Sequence, residues 1–112
     1  MSRDDTYLVD ILESAKIALT YVSGKTWDDF YDDLQCQDAI LRRIEIIGEA
    51  SRHISPQTRK KHSQIPWREM TMLRNLVIHK YDVVDINQVW DTVQKKLPAL
   101  VDELSKIVPP ES

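Results

Sequence analysis

Apolar residues return along this chain at helical spacing and show no sustained two-residue alternation of the kind a half-buried strand needs. Leu8, Ile11, Leu12, Ala15, Leu19 and Val22 share one side of a helix over 7–22, and Gly24 follows as its stop. Thr26 reads as the N-cap of a short helical turn through Trp27–Tyr31. Asp28 and Asp29 lie in its first turn, where the positive end of the helix favours carboxylates. Ala39, Ile40, Ile44, Ile46, Ile47 and Ala50 mark a longer helix, roughly 34–54. Gly48 inside it costs about 1 kcal/mol relative to alanine, which points to another helix passing close at that position. Ser55-Pro56 joins an N-cap to a proline at the first helical position and opens a short basic turn through Arg59-Lys60-Lys61. Ile65-Pro66-Trp67 starts a helix running to about Lys80. Asp85 and Gln88 form a capping box for a last helix, about 86–107, which Pro98 should kink or divide.

The pattern predicts an all-α protein: four principal helices in an antiparallel four-helix-type bundle, with short extra helical turns, as one domain over 1–112. Two glycines in 112 residues argue against a sandwich, a barrel or a doubly wound sheet. A hydrophobic share of 42% allows a real core. No apolar run approaches the ~20 residues of a membrane-spanning helix, and the start Met1-Ser2-Arg3-Asp4-Asp5 leads into no signal-peptide core. The expectation is a soluble cytoplasmic protein with no membrane partner. A single cysteine, Cys36, excludes an internal disulfide and a paired-cysteine metal or redox site. Charge is unevenly placed: residues 1–41 carry net −6, residues 42–80 net +6 and residues 81–112 net −3. The positive middle can attract phosphate locally although the whole chain is acidic. Charge alone favours the plainer reading, solvated helix faces meeting each other's opposite charges.

The segment from Trp67 to Tyr81 departs from plain scaffold. On an ideal wheel Trp67, Met70, Val77, Ile78 and Tyr81 lie within about 60° of Arg74, so an arginine sits in the apolar stripe and needs a partner. His79 lies about 140° round, with Asn75 and Arg68 between the two. Met72 and Leu76 keep that second side partly apolar, as on a helix that packs once in its own core and once against another subunit. The plain alternative pairs Arg74 with a bundle carboxylate such as Glu45 or Glu49 and satisfies His79 on a backbone carbonyl. The chemical reading is different. Histidine can move a proton near neutral pH. Arginine offers a charged fork suited to phosphate oxygens, and asparagine can orient either partner. Together they resemble a kit for cleaving RNA without a metal, the histidine serving the 2′-hydroxyl or the leaving oxygen and the arginine the crowded phosphate. Residues five apart on one helix do not share a face, so a two-fold mate would complete the groove.

Other features are weaker. His53 and His62 show no metal-ligand spacing with His79, and neither a metal nor a cofactor is indicated. Arg68, Arg59, Lys60 and Lys61 are candidate contacts to RNA phosphates, with a solvated basic surface as the alternative. Trp27, Phe30, Tyr31 and Trp90 suit packing better than base stacking. Cys36 has no basic neighbour adjacent in sequence to activate it. Three function classes stay open: a ribonuclease, a non-catalytic nucleotide- or partner-binding module, and a histidine phosphotransfer bundle. The last is disfavoured because Lys80-Tyr81-Asp82 supplies no glycine for close approach of a partner.

Arg74-Asn75-Leu76-Val77-Ile78-His79 resembles the arginine–polar–histidine motif of the HEPN superfamily of all-helical ribonucleases. The extension Lys80-Tyr81 makes it similar to the HepT-like toxin branch. Ile46-Ile47-Gly48-Glu49-Ala50, Ile65-Pro66-Trp67, Val89-Trp90 and Leu97-Pro98 fit that branch in the same order, so the resemblance covers about 7–107. It implies a homodimer with its cleft at the subunit interface and endoribonuclease action by Arg74 and His79 with Asn75 assisting. It also implies a toxin–antitoxin pairing with a minimal nucleotidyltransferase antitoxin, which transfers AMP from ATP to Tyr81 and silences the toxin.

Overall fold

Residues 2–77 and 84–108 are described by the structure, a computed structural model, and every regular element among them is helical. Helix α1 (Arg3–Val22) begins four residues before the expected start at residue 7. The cause is a reciprocal cap: the Ser2 hydroxyl accepts the Asp5 N–H at 3.0 Å, and the Asp5 carboxylate accepts the Ser2 N–H at 3.3 Å. Gly24 ends this helical region with φ of 74°, a left-handed conformation that costs glycine little. Helix α2 (Trp27–Asp32) repeats the reciprocal cap with Thr26 and Asp29. Helix α3 (Leu34–Arg52) is capped by Asp33, and α4 (Pro56–Lys61) by Ser55 with Pro56 in its first turn.

The expected helix from Trp67 to Lys80 divides at Leu73 into α5 (Trp67–Met72) and α6 (Arg74–Val77), beyond which the description stops. Leu73 keeps right-handed helical angles, but Leu76 N–H reaches back only to the Leu73 carbonyl. The turn therefore tightens where the chain is pressed against α3. The last helical run comprises α7 (Ile86–Asp91), a π segment (Thr92–Lys96) and α8 (Leu97–Ser105). Asp85 caps it by accepting from the N–H groups of Asn87 and Gln88. The run divides just before Pro98, as expected, but does not end there: α8 starts one residue before the proline. Pro98 has no N–H to donate, and the ladder immediately before it widens so that Leu97 N–H reaches the Thr92 carbonyl.

The core lies where α1 packs on α3 and α8. Leu8, Ile11, Ala15 and Ala18 meet Ile40, Ile44 and Ile47 on one side and Leu97, Leu100 and Leu104 on the other, all buried. Phe30 is sealed, its ring 5.0 Å from that of Trp90 and 6.3 Å from that of Trp27. These aromatics pack as the sequence suggests, and only Tyr31 of the group lies well exposed. Asp4 joins the start of α1 to the start of α4 by accepting from the Ser55 N–H at 3.0 Å and from the hydroxyls of Ser55 and Thr58. Those bonds hold its carboxyl below the usual aspartate value. No helix among the described residues is long and apolar enough to cross a membrane.

Candidate functional site

Gly48 decides where Arg74 can be. A Cβ built on Gly48 would stand 2.9 Å from both the Arg74 Cβ and the Arg74 backbone nitrogen. Hydrogen is the largest substituent that lets α6 approach α3 so closely, which is the close passage its mid-helix glycine implied. The next residue on α3 then meets the arginine: Glu49 Oε1 lies 2.6 Å from Arg74 Nε. Of the carboxylates the sequence left open, Glu49 is therefore the partner, while Glu45 pairs with Arg42.

This pair has an unusual geometry. Arg74 Nε is sealed from solvent, yet its N–H has no acceptor in line among the described residues, so the 2.6 Å contact is a charge pair rather than a hydrogen bond. The Arg74 side chain is still 37% exposed and that of Glu49 40%. With Cβ against Gly48 and Nε sealed, the exposed surface belongs to the remainder of the side chain. An exposed ion pair of this kind contributes about 0–1 kcal/mol to stability. Its consequence is mainly placement: it fixes the Nε edge of the guanidinium inward. Glu49 also touches a second guanidinium, with Arg52 Nη1 3.5 Å from its carboxylate. Arg52 lies one turn further along α3, at its C-terminal end, where the helix dipole favours a cation. Nothing in the sequence reading singled out Arg52, although its spacing from Glu49 was the available signal.

Asn75 follows Arg74 on α6 and is exposed, and Arg68 on α5 is also exposed. Arg59 is already engaged: its Nε donates to the Ile54 carbonyl at 3.2 Å and one terminal nitrogen to the Ser51 carbonyl at 2.6 Å. It thereby satisfies carbonyls at the end of α3. Lys60 and Lys61 belong to the same basic turn, are exposed, and make no ion pair among the described residues. His79 and Tyr81 lie outside the described residues. A cleft of about 640 Å³ opens between Met72, Leu73 and Leu76 on one side and Asn87, Gln88 and Thr92 on the other. Arg74, turned toward α3, does not line it, and neither does Asn75. No group of three histidine, cysteine, aspartate or glutamate side chains with metal-holding placement occurs among the described residues.

The all-helical fold is consistent with the HEPN class, and Arg74-Asn75 forms the start of its motif. Comparison with known proteins is more specific. The family model described as Ribonuclease HepT-like matches residues 11–107. The chain is 38% identical to the probable ribonuclease HepT of Thermococcus cleftensis, across 90% of this chain and 92% of that one. It is 34% identical to a protein of Caldanaerobacter subterraneus subsp. tengcongensis named "Putative RNase", across 94% of each. It is 43% identical to a Methanocaldococcus jannaschii protein named "Gamma-glutamylcyclotransferase and putative RNase", across 91% of this chain but only 46% of that one. No solved structure matches. The chain belongs to the HepT-like ribonuclease family of the HEPN superfamily.

Proposed function

We propose that this protein is the toxin of a toxin–antitoxin pair, an endoribonuclease that cleaves RNA without a metal ion at a cleft between two copies of the chain. Arg74 and His79 are its catalytic residues and Asn75 assists. The 2′-hydroxyl oxygen attacks the adjacent phosphorus as its proton is taken up, and the bond to the 5′-oxygen breaks as that oxygen gains a proton. His79 serves one of these transfers. Arg74 stabilises the negative charge gathered on the phosphate oxygens. The observation that carries the reading is the placement of Arg74: Gly48 admits it and Glu49 holds one edge of it, while the side chain keeps access to solvent. Membership of a ribonuclease family supplies the chemical context.

Control follows from Tyr81. A nucleotidyltransferase partner transfers AMP from ATP to its phenol oxygen, which attacks the α-phosphorus as pyrophosphate leaves. The product carries bulk and negative charge seven residues beyond Arg74 in the sequence, and that charge opposes phosphate binding. Substituting Tyr81→Phe is expected to abolish labelling by such a partner, and continued labelling of that peptide would show that another residue is modified.

The test is incubation of purified protein with single-stranded RNA, with and without EDTA. Cleavage should persist in EDTA. It should fall by about 10²–10⁴ in His79→Ala and by about 10²–10³ in Arg74→Ala, with both variants folded. A second reading, a non-catalytic nucleotide- or partner-binding module, draws on the same Arg74–Glu49 pair taken as scaffold. Intact RNA together with measurable binding of ATP or a partner would decide for it.

A further inference from the structure

Glu49 is the one carboxylate among the described residues touched by two guanidiniums, Arg74 at 2.6 Å and Arg52 at 3.5 Å. Two cations against one anion leave unbalanced positive charge at this spot. All three side chains are between one third and one half exposed, at 37% for Arg74, 40% for Glu49 and 46% for Arg52. A group of this composition is poorly explained as a stability device, since exposed pairs contribute little. It is well explained as a way of holding two planar forks at one carboxylate, each able to grip phosphate oxygens.

We propose that Glu49 gathers Arg52 and Arg74 into a paired-guanidinium clamp on the RNA backbone, in which Arg52 holds a phosphate beside the one Arg74 serves. This rests on the nuclease reading and adds two residues to it. Arg52 is a binding residue. Glu49 is a positioning residue: it touches no substrate and acts by fixing the Nε edge of Arg74. Its charge opposes the incoming phosphate, so it should favour turnover at some expense of affinity. A residue that served only the fold would show no such split.

The experiment uses the full chain and two ligands of one sequence: a single-stranded RNA, and its 2′-O-methyl analogue, which lacks the attacking hydroxyl. Loss of one phosphate contact on a single strand should reduce the slope of log affinity against log salt by about 0.7. That reduction is expected for Arg52→Gln with the analogue, and on RNA the loss should fall more on KM than on kcat. Misplacing a reacting group costs about ten- to a hundredfold, so Glu49→Ala should lower kcat by that factor while affinity for the analogue holds or rises. If alanine at this position lowers the melting temperature, the nearly isosteric Glu49→Gln carries the same comparison. A wild-type slope in Arg52→Gln overturns the clamp. So does a Glu49 variant that keeps kcat, or that loses affinity and kcat together. If the wild-type chain binds the analogue but cuts no RNA, the nuclease reading fails and the salt slope still decides the clamp. If it neither binds nor cuts, both fail.

Discussion

Gly48 shows how a single missing side chain decides where a neighbouring helix can lie. Its φ is not unusual, so the reason for glycine is space: a methyl group there would meet backbone and Cβ atoms of Arg74 at 2.9 Å. Those atoms cannot swing aside as a side-chain tip can. Gly48→Ala would gain about 1 kcal/mol of helix propensity, but forcing α6 away should cost about 1–3 kcal/mol. The expected net result is a modest fall in melting temperature with a much larger fall in RNA cleavage, because Arg74 moves with α6. Unchanged cleavage by a folded Gly48→Ala protein would separate the close contact from the chemistry. The glycine's meaning was legible in the sequence as a mid-helix cost needing an explanation. The choice of Glu49 over Glu45 was not, since both lie on α3 at plausible helical positions and only the docking angle of α6 distinguishes them.

Caps and breaks account for most of the element boundaries. Thr26, Ser55 and Asp85 were legible as helix starts because their side chains act on N–H groups two or three residues away. The start of α1 was masked by a polar first turn that carries no apolar stripe, although Ser2 and Asp5 form a full capping box. Pro98 was legible as a disturbance but not as a π segment, because the widened ladder depends on how the preceding turn packs. The tie between α1 and α4 through Asp4 links residues about fifty apart, which no local pattern reports. Asp4→Ala should cost about 1 kcal/mol, as loss of a helix cap does. The carboxyl's folded pKa is depressed, so its contribution is complete above the usual aspartate pKa and is lost as pH falls through the lower folded value. Denaturant unfolding of wild type and Asp4→Ala should therefore differ at neutral pH and converge in strong acid. A constant difference across that range would mean the charge of Asp4 contributes nothing.

For the whole molecule, the proposal requires two copies to complete one cleft. Sedimentation should then report a particle of two 13.1 kDa chains. If each cleft takes Arg74 from one copy and His79 from the other, mixing inactive Arg74→Ala and His79→Ala chains should restore measurable cleavage. A fully active monomer would refute that arrangement. The helical class, the main apolar stripes, the family and the residue types suited to phosphate chemistry were all readable from the linear chain. They depend on interactions within a few residues, on composition and on motif order. The pairing of Arg74 with Glu49 and the diversion of Arg59 to the end of α3 were not. Each depends on the distance and angle at which separate segments pack, and local preference carries no information about either.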